Sequence, residues 1–323
     1  MKKVLKNARV LVTARAYGIL DSSLKTDLEA AVGEVIYAVN QPRYTPDELI
    51  GLVQGVDGWI ASMDKIGRPV LQAAQSLIAI SRFGVGVDHI DLDAAHELGI
   101  KVTNTPRVNA NSVAEHTVGL ILALVRKVVE GSTIVRSGAW RILPTPTLEG
   151  KTLGLMGFGQ IGQAVAKRMT GFGMRILAYD PMGTQSTAQA LGVEFVSQSD
   201  LITTADILCL HLPLTSQTHG MVDRSFLAAM KPGAFLINTA RGDLVNEEAL
   251  FDALNNSQLG GAALDVLSVE PALPGHPLLR FPNVIITPHM AGYGESAINA
   301  MGRNALENLL CVMRGEETPN LVV

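Results

Sequence analysis

Cysteine is scarce in this sequence, and so is an excess of charge of either sign. The two cysteines, Cys209 and Cys311, lie far apart in apolar segments, which excludes a disulfide framework and favours a reducing compartment. The formal net charge is only −4. Because nucleic-acid-binding proteins usually carry a basic excess, we expect no nucleic-acid partner. The scattered histidines show no metal-ligand spacing, so we expect no bound metal.

Long apolar runs are lacking as well. No uninterrupted stretch approaches the roughly 20 apolar residues that a membrane helix needs. The first residues are basic, but Lys6, Asn7 and Arg9 interrupt the apolar run that a signal peptide requires. We therefore predict a cytoplasmic protein without a membrane partner.

Apolar residues are nevertheless plentiful, at 47% of 323 residues, and the length favours two domains. Five short apolar segments between Arg9 and Asn104, and seven between Lys151 and Pro288, are typical of buried strands that alternate with helices. This alternation predicts two parallel sheets with helical crossovers. We predict one long helix over Ser112–Gly131, between the two series, and another over Gly294–Gly315.

A Gly-x-Gly-x-x-Gly motif stands between a predicted strand and a predicted helix, where such a motif binds dinucleotides. Gly157 would allow a tight turn, Gly159 the approach of a pyrophosphate, and Gly162 close packing of helix on strand. Asp180 ends the next strand, where an acid binds the ribose hydroxyls of NAD and repels the extra phosphate of NADP. A glycine-rich turn with an acid at a strand end is the simpler alternative. The predicted cofactor-binding residues here are Gly157, Gly159, Gln160, Ile161, Gly162 and Asp180.

Polar residues follow several strands of the second series, in the segments "HLPLTSQTHG", "TARGD", "VLSVEP" and "PHMAG". The ligands of parallel α/β sheets lie at the carboxyl ends of the strands. Arg241, Asp265, Glu270 and His289 are therefore expected to converge there. Each of them taken alone is more often an ordinary loop or structural residue, but their joint placement after successive strands favours a functional site.

These segments, together with "NTPRVNANSVAEHTVGLILAL" and "GKTLGLMGFGQIG", resemble in order the D-isomer-specific 2-hydroxyacid dehydrogenase family. The resemblance covers nearly the whole chain and is closest to the phosphoglycerate dehydrogenase-like subgroup, in a short form without a regulatory domain. It implies two doubly wound parallel-sheet α/β domains. A Rossmann NAD domain, residues 104–291, would be inserted into a discontinuous flavodoxin-like substrate domain, residues 1–103 and 292–323.

The resemblance also implies roles for individual residues. Arg241, Glu270 and His289 would form the catalytic set, with His289 as general base, Glu270 holding its imidazole, and Arg241 pairing with the substrate carboxylate. Asp265 would meet the nicotinamide amide. The further residues expected near the cofactor are His211, Pro213, Thr218, Thr239 and Ala240. His211 could instead be a structural residue.

Substrate binding is expected from Arg82, Val85 and Gly86 together with Arg241. In phosphoglycerate dehydrogenases an arginine at the place of Arg82 helps to bind the substrate phosphate. Some members of that subgroup have another arginine where this chain has Ala61. A substrate with less negative charge is therefore a further possibility. The simpler interpretation of Arg82 is a solvated arginine at a strand end.

The resemblance implies an NAD-dependent enzyme that oxidises or reduces a small 2-hydroxy or 2-keto acid, phosphoglycerate-like or another three-carbon acid with an anionic end. It also implies a homodimer that pairs through the helix and arm of residues 112–148. A glyoxylate or hydroxypyruvate reductase is an alternative. So is an NAD-sensing interaction protein similar to C-terminal-binding-protein corepressors. A Rossmann methyltransferase would leave the three catalytic residues unexplained.

Overall fold

The computed structural model of the chain describes residues 5–41, 43–183 and 185–323. Each segment that the sequence predicts to be a strand overlaps one, and β11 begins two residues before its predicted segment. The strands are β1 (Arg9–Val12), β2 (Glu34–Tyr37), β3 (Gly58–Ala61), β4 (Ala79–Arg82), β5 (Lys101–Thr103), β6 (Thr152–Met156), β7 (Arg175–Tyr179), β8 (Glu194–Phe195), β9 (Ile207–Leu210), β10 (Ala234–Asn238), β11 (Leu259–Leu264) and β12 (Val284–Ile286).

Helices separate most of these strands, as a parallel sheet requires. They are α1 (Ser23–Ala31), α2 (Pro46–Leu52), α3 (Arg68–Ala73), α4 (Leu92–Glu97), α5 (Ala110–Val125), α6 (Val128–Arg136), α7 (Gln160–Met169), α8 (Gln185–Ala190), α9 (Gln198–Thr204), α10 (Arg224–Ala229), α11 (Glu247–Asn255) and α12 (Glu295–Arg314). Within the described part of the chain, no helix has both the length and the apolar character to cross a membrane.

The chain forms two compact units. One comprises the described residues through Asn109 together with Gly292–Val323, and the other comprises Ala110–Ala291. The predicted first division, after residue 103, falls just before the loop that leads into α5. The first unit holds a five-stranded parallel sheet in the order β2-β1-β3-β4-β5. The second holds a seven-stranded parallel sheet in the order β12-β11-β10-β9-β6-β7-β8. These two sheets confirm the predicted fold class.

Successive residues of each strand point to opposite faces of the sheet, and helices cover both faces. In the larger sheet, Leu155 and Cys209 pack with the helices α5 and α7, whereas Met156 and Leu208 pack with α9, α10 and α11. In the smaller sheet the two apolar clusters lie with α1 and α12 on one face and with α2, α3 and α4 on the other. Burying one Leu or Ile side chain fully contributes about 1.5–3 kcal/mol, so these clusters dominate the stability of each unit.

The helix predicted over Ser112–Gly131 is wrong as a single element. α5 ends at Val125, and α6 begins at Val128 after Lys127 adopts a left-handed backbone with φ of 51°. No glycine or proline marks this break, and β-branched valines flank it, so the sequence pattern continues through the point where the chain turns. By contrast, the start of α2 has a local cause, because Thr45 and Glu48 form a capping box.

Candidate active site

The predicted site residues of the second unit lie at one edge of the seven-stranded sheet. Because its strands are parallel, their carboxyl ends meet at this edge. The strand order reverses between the neighbouring strands β6 and β9, which is where an open α/β sheet forms its ligand crevice. The residues that follow the strands here are Gly157 after β6, Asp180 after β7, His211 after β9, Thr239, Ala240 and Arg241 after β10, Asp265 after β11, and His289 after β12.

The glycine turn has the shape of a phosphate cradle. Gly157 has a φ of 100°, and a Cβ there would come within 2.6 Å of the His211 carbonyl group. A Cβ on Gly162 would collide with the Gly157 carbonyl oxygen. At Gly159, in contrast, a Cβ would meet nothing within 4 Å, so the surface is open where a pyrophosphate would approach. Gly159 is the N-cap of the ten-residue helix α7 and makes no side-chain capping hydrogen bond. The first N–H groups of α7 therefore remain available to bind an anion.

The Asp180 carboxylate is held against this turn. Its Oδ2 accepts a hydrogen bond from the Phe158 N–H at 2.7 Å, and its Oδ1 accepts one from the Met182 N–H at 2.8 Å. A carboxylate oxygen can accept more than one hydrogen bond, so both oxygens retain capacity for the hydroxyls of a ribose. The turn and the acid therefore fit the adenosine and pyrophosphate of a dinucleotide.

The segment after β9 contains a half-buried histidine, His211. Both ring nitrogens of His211 are buried and have no hydrogen-bond partner among the described residues. Burial lowers the pKa of His211 to about 4, so its imidazole is neutral at pH 7. Thr218 stabilises the loop that follows, because its Oγ1 donates to the Pro213 carbonyl at 2.7 Å and accepts from the Thr215 N–H at 2.8 Å.

His289 and Glu270 form an acid–base pair. His289 Nδ1 lies 2.9 Å from Glu270 Oε2 and 3.2 Å from its Oε1. Glu270 Oε1 also accepts a hydrogen bond from the Leu267 N–H at 3.0 Å, which fixes the carboxylate. Since a carboxylate accepts the proton on Nδ1, the remaining ring nitrogen of His289, Nε2, can exchange a proton with a substrate.

The backbone of His289 is held by Asp265. His289 has a left-handed φ of 52°, and its N–H donates to the Asp265 carbonyl at 2.8 Å. The buried Asp265 carboxylate accepts from the Met290 N–H at 2.9 Å, the Ala291 N–H at 2.8 Å and the Thr287 hydroxyl at 2.6 Å. Burial alone would raise the pKa of the Asp265 carboxyl, but hydrogen bonds from His116, Thr287 and the two backbone N–H groups outweigh burial and hold it below its usual value.

Arg241 follows β10 in extended conformation. The Asn238 amide braces this turn by donating to the Arg241 carbonyl at 2.8 Å and accepting from the Ala240 N–H at 3.0 Å. Gly242 packs so closely against the backbone of Leu267 that a Cβ could not fit. This contact brings the turn that carries Arg241 against the loop that carries Glu270, although the two residues are far apart in sequence.

The predicted substrate residues Arg82, Val85 and Gly86 belong to the other unit. Arg82 is only 7% exposed, so the interpretation of a solvated strand-end arginine is wrong. Its guanidinium donates to the Phe83 carbonyl and to Met63 Sδ. Val85 is exposed, and its carbonyl accepts from the Asn104 amide at 2.8 Å.

Several residues at the second unit's sheet edge were not predicted from the sequence. The turns that carry the predicted site residues are contacted by four such residues, namely Asn238, His116, Thr117 and Thr287. Asn238 directly precedes the segment "TARGD", which is a weak signal. No sequence signal connects His116 to residues as distant along the chain as Asp265 and Thr287.

The chain has close relatives among known proteins. Residues 118–291 match the family described as D-isomer specific 2-hydroxyacid dehydrogenase, NAD binding domain. The chain is 42% identical over 284 residues to a glyoxylate reductase of Thermofilum pendens, which covers 85% of the chain and 84% of that relative. It is 41% identical over 295 residues to a D-3-phosphoglycerate dehydrogenase of Methanocaldococcus jannaschii, which covers 90% of the chain but 56% of that relative. The solved structure of the TT0316 protein from Thermus thermophilus matches it with a TM-score of 0.87 at 43% identity, over 98% of the chain and 100% of that structure.

Proposed function

The chain belongs to the D-isomer specific 2-hydroxyacid dehydrogenase family, and from this membership we propose that it interconverts a three-carbon 2-hydroxy acid with an anionic end and the matching 2-keto acid. It is an NAD-dependent oxidoreductase. The observation that carries the proposal is the His289–Glu270 pair, at 2.9 Å, on a sheet edge that also carries a dinucleotide turn.

We assign the cofactor to the turn and acid described above. The phosphate cradle is formed by Gly157, Gly159 and Gly162. The helix behind it begins with Gln160 and Ile161, and Asp180 binds the ribose. When bound here, the oxidised cofactor NAD would accept the hydride and the reduced cofactor NADH would supply it. Thr239, Ala240, Pro213 and Thr218 line the neighbouring turns. Asp265 Oδ2 accepts from the Ala291 N–H and, as a carboxylate oxygen, has capacity for a second hydrogen bond from the nicotinamide amide.

His211 fits the same assignment. Buried ring nitrogens with no partner among the described residues cost free energy, which a hydrogen bond to a bound polar group would recover. Its carbonyl group lies against Gly157, at the turn where the cofactor enters the sheet edge. We therefore place His211 beside the cofactor, where its neutral ring can accept or donate one hydrogen bond.

The chain's own groups account for the proton and the substrate charge. In oxidation His289 Nε2 takes the hydroxyl proton, and in reduction it returns that proton to the carbonyl oxygen. Glu270 keeps the ring oriented through Nδ1 and stabilises the imidazolium that forms. Arg241, whose turn is held by Asn238, forms a bidentate ion pair with the substrate carboxylate through its guanidinium. Arg82, Val85 and Gly86 are proposed to bind the rest of the substrate.

A glyoxylate or hydroxypyruvate reductase is the second candidate. The 42% identity to a protein named glyoxylate reductase favours it, as does Ala61, which supplies no cation beside Arg82. An interaction protein without turnover is less favoured, because the relatives are named as reductases and dehydrogenases.

A panel of acids tests these candidates. Purified protein is mixed with NAD and each enantiomer of 3-phosphoglycerate, glycerate and lactate, and with NADH and glyoxylate, hydroxypyruvate or pyruvate. The highest kcat/KM with 3-phosphoglycerate or another terminally anionic acid supports the first candidate. Preference for glyoxylate or hydroxypyruvate supports the second. Binding of NAD without turnover of any acid contradicts both and supports the interaction protein.

We also propose that the chain forms a homodimer through residues 112–148. Trp140 is 89% exposed and Ile142 is 92% exposed, which is unusual for side chains of this size. They line a cavity of about 430 Å³ beside α6, together with Val128 and Val135. Sedimentation of the wild type and of Trp140→Lys combined with Ile142→Lys tests this pairing. A dimer that the double variant does not weaken, or a monomeric wild type, contradicts it.

We propose a cytoplasmic location for the enzyme.

A further inference from the structure

The helix α5 is mainly apolar, yet it has a short polar stripe. Ser112 and His116 are four residues apart and share a face, and Thr117 follows directly. Each of these side chains contacts a loop of the proposed active site. Ser112 Oγ donates to the Ala291 carbonyl at 2.7 Å, and Thr117 Oγ1 lies 2.9 Å from Thr239 Oγ1.

His116 makes the central contact of this stripe. Its Nε2 lies 3.1 Å from Thr287 Oγ1 and 3.4 Å from Asp265 Oδ1. Thr287 has a single hydroxyl proton, which it donates to Asp265 at 2.6 Å. The Thr287 oxygen must therefore accept from His116, so that Nε2 carries a proton. The result is a chain of hydrogen bonds from α5 through Thr287 to the buried carboxylate.

This chain ends at the segment that carries His289. A left-handed backbone is unfavourable at a residue with a Cβ, so the segment needs support from its surroundings. Asp265 provides it, through the N–H groups of His289, Met290 and Ala291. The Asp265 carbonyl binds the His289 N–H, and its buried carboxylate binds those of Met290 and Ala291. That carboxylate must itself be oriented and kept charged, which requires donors on its other side. His116 is such a donor, and its ring is 21% exposed.

We propose that His116 is a positioning residue for the reaction: it acts through Thr287 and Asp265 to hold the backbone that aims His289. It does not touch substrate or cofactor in this assignment. The proposal rests on the proposed function for its kinetic consequences, but the geometry that it assigns to His289–Ala291 can be measured without turnover.

The test compares three single variants of the NAD-bound enzyme. His116→Leu keeps an apolar bulk and cannot donate a hydrogen bond, whereas His116→Gln can donate through its amide. Glu115→Gln is the matched control, since Glu115 is the adjacent residue on α5 and pairs instead with Arg168 at 2.9 Å. For each variant we measure hydrogen exchange of the Met290 and Ala291 amides, the Kd for NADH, kcat and KM, and the primary deuterium isotope effect on kcat with deuterated NADH.

In His116→Leu we expect faster exchange at Met290 and Ala291, an unchanged Kd for NADH, and a kcat lower by roughly 10–100-fold, because a misplaced base loses much of its effect. The isotope effect should rise as the chemical step becomes slower. His116→Gln should recover most of kcat, and Glu115→Gln should match the wild type. A merely structural role would lower the amount of folded enzyme without changing its isotope effect.

Two outcomes overturn the proposal. One is wild-type exchange at Met290 and Ala291 in His116→Leu. The other is an isotope effect and kcat per folded molecule that do not change. If His116→Leu does not fold, His116→Asn, whose amide is too short to reach Thr287, replaces it in the same comparison. If no acid is turned over by the wild type, the proposed function fails, while the exchange measurement still decides the role of His116.

Discussion

His289 Nδ1 lies 2.9 Å from Glu270 Oε2, although the two residues enter the sheet edge from different strands. The contact leaves one nitrogen of the ring free for the substrate and gives the protonated ring a negative partner. Glu270 is in turn fixed by the Leu267 N–H at 3.0 Å. Orientation of the base therefore depends on the loop after β11 as much as on His289 itself.

Replacing the base tests its role most directly. His289→Asn should lower kcat by roughly 10²–10⁴, the usual contribution of a positioned general base. NADH binding should persist, because His289 is not part of the phosphate turn or the ribose site. Steady-state kinetics and a fluorescence titration with NADH measure the two quantities. A Kd for NADH that rises in proportion to the loss of kcat would instead make His289 a structural residue.

Glu270→Gln should lower kcat more than it affects the fold. The amide keeps the size of the side chain and can still contact Nδ1, but it removes the negative charge beside the ring. We expect kcat to fall by roughly 10-fold or more, since a charge-assisted hydrogen bond is lost and 1.4 kcal/mol corresponds to tenfold. Steady-state kinetics and the Tm measure the two effects. An unchanged kcat would show that Glu270 only orients the ring.

Asp180 should determine the preference for NAD over NADP. The two oxygens of Asp180 accept from the Phe158 and Met182 N–H groups, and Asp180→Asn keeps only one of these acceptors. It also removes the charge that repels a 2′-phosphate. We expect the ratio of kcat/KM for NADH over NADPH to fall by roughly 10-fold or more, since 1.4 kcal/mol corresponds to tenfold. Adding Met182→Arg should lower it further. A wild type that uses both cofactors equally would contradict this assignment.

Arg82 should affect substrates selectively. Arg82→Gln keeps a donor for the Phe83 carbonyl but removes the positive charge. We expect a KM that is roughly 10-fold or more higher for acids with an anionic terminus, the usual effect of losing one charge-assisted bond. The KM for glyoxylate or pyruvate should change little. Equal effects on both classes, with an unchanged Tm, would remove Arg82 from the substrate site.

His211 should make the NAD-free protein less stable in mild acid. Its pKa is about 4 in the folded state and near 6.5 in an unfolded chain, so the unfolded chain binds the extra proton between these values. The stability contributed by the neutral ring is thus fully present above pH 6.5 and is lost as pH falls toward 4. His211→Leu should flatten the free energy of unfolding over this range, as measured by urea denaturation. The same substitution at the exposed His219 is the control, and equal slopes in both variants would contradict the prediction.

Much of the fold could be predicted because its signals are local. The twelve strands of the described residues are short apolar segments with breaks on both sides, and β propensity and burial act on the same residues. The glycine turn and Asp180 are likewise determined nearby in sequence, since only glycine tolerates a φ of 100° beside the His211 backbone. The break at Lys127 could not be predicted, because no residue there forbids a helix.

The sequence by itself determined the order of strands and helices, the dinucleotide turn, and the identity of the charged groups that follow the strands. Tertiary structure alone decided which of these groups meet. Glu270 reaches His289 because β11 and β12 are neighbours, and Gly242 lets the Arg241 turn approach the same loop. His116 contacts Thr287 across the packing of α5 on the sheet. Such contacts join residues that are distant in sequence, and their energies depend on burial and hydrogen-bond geometry that exist only after the sheet has formed.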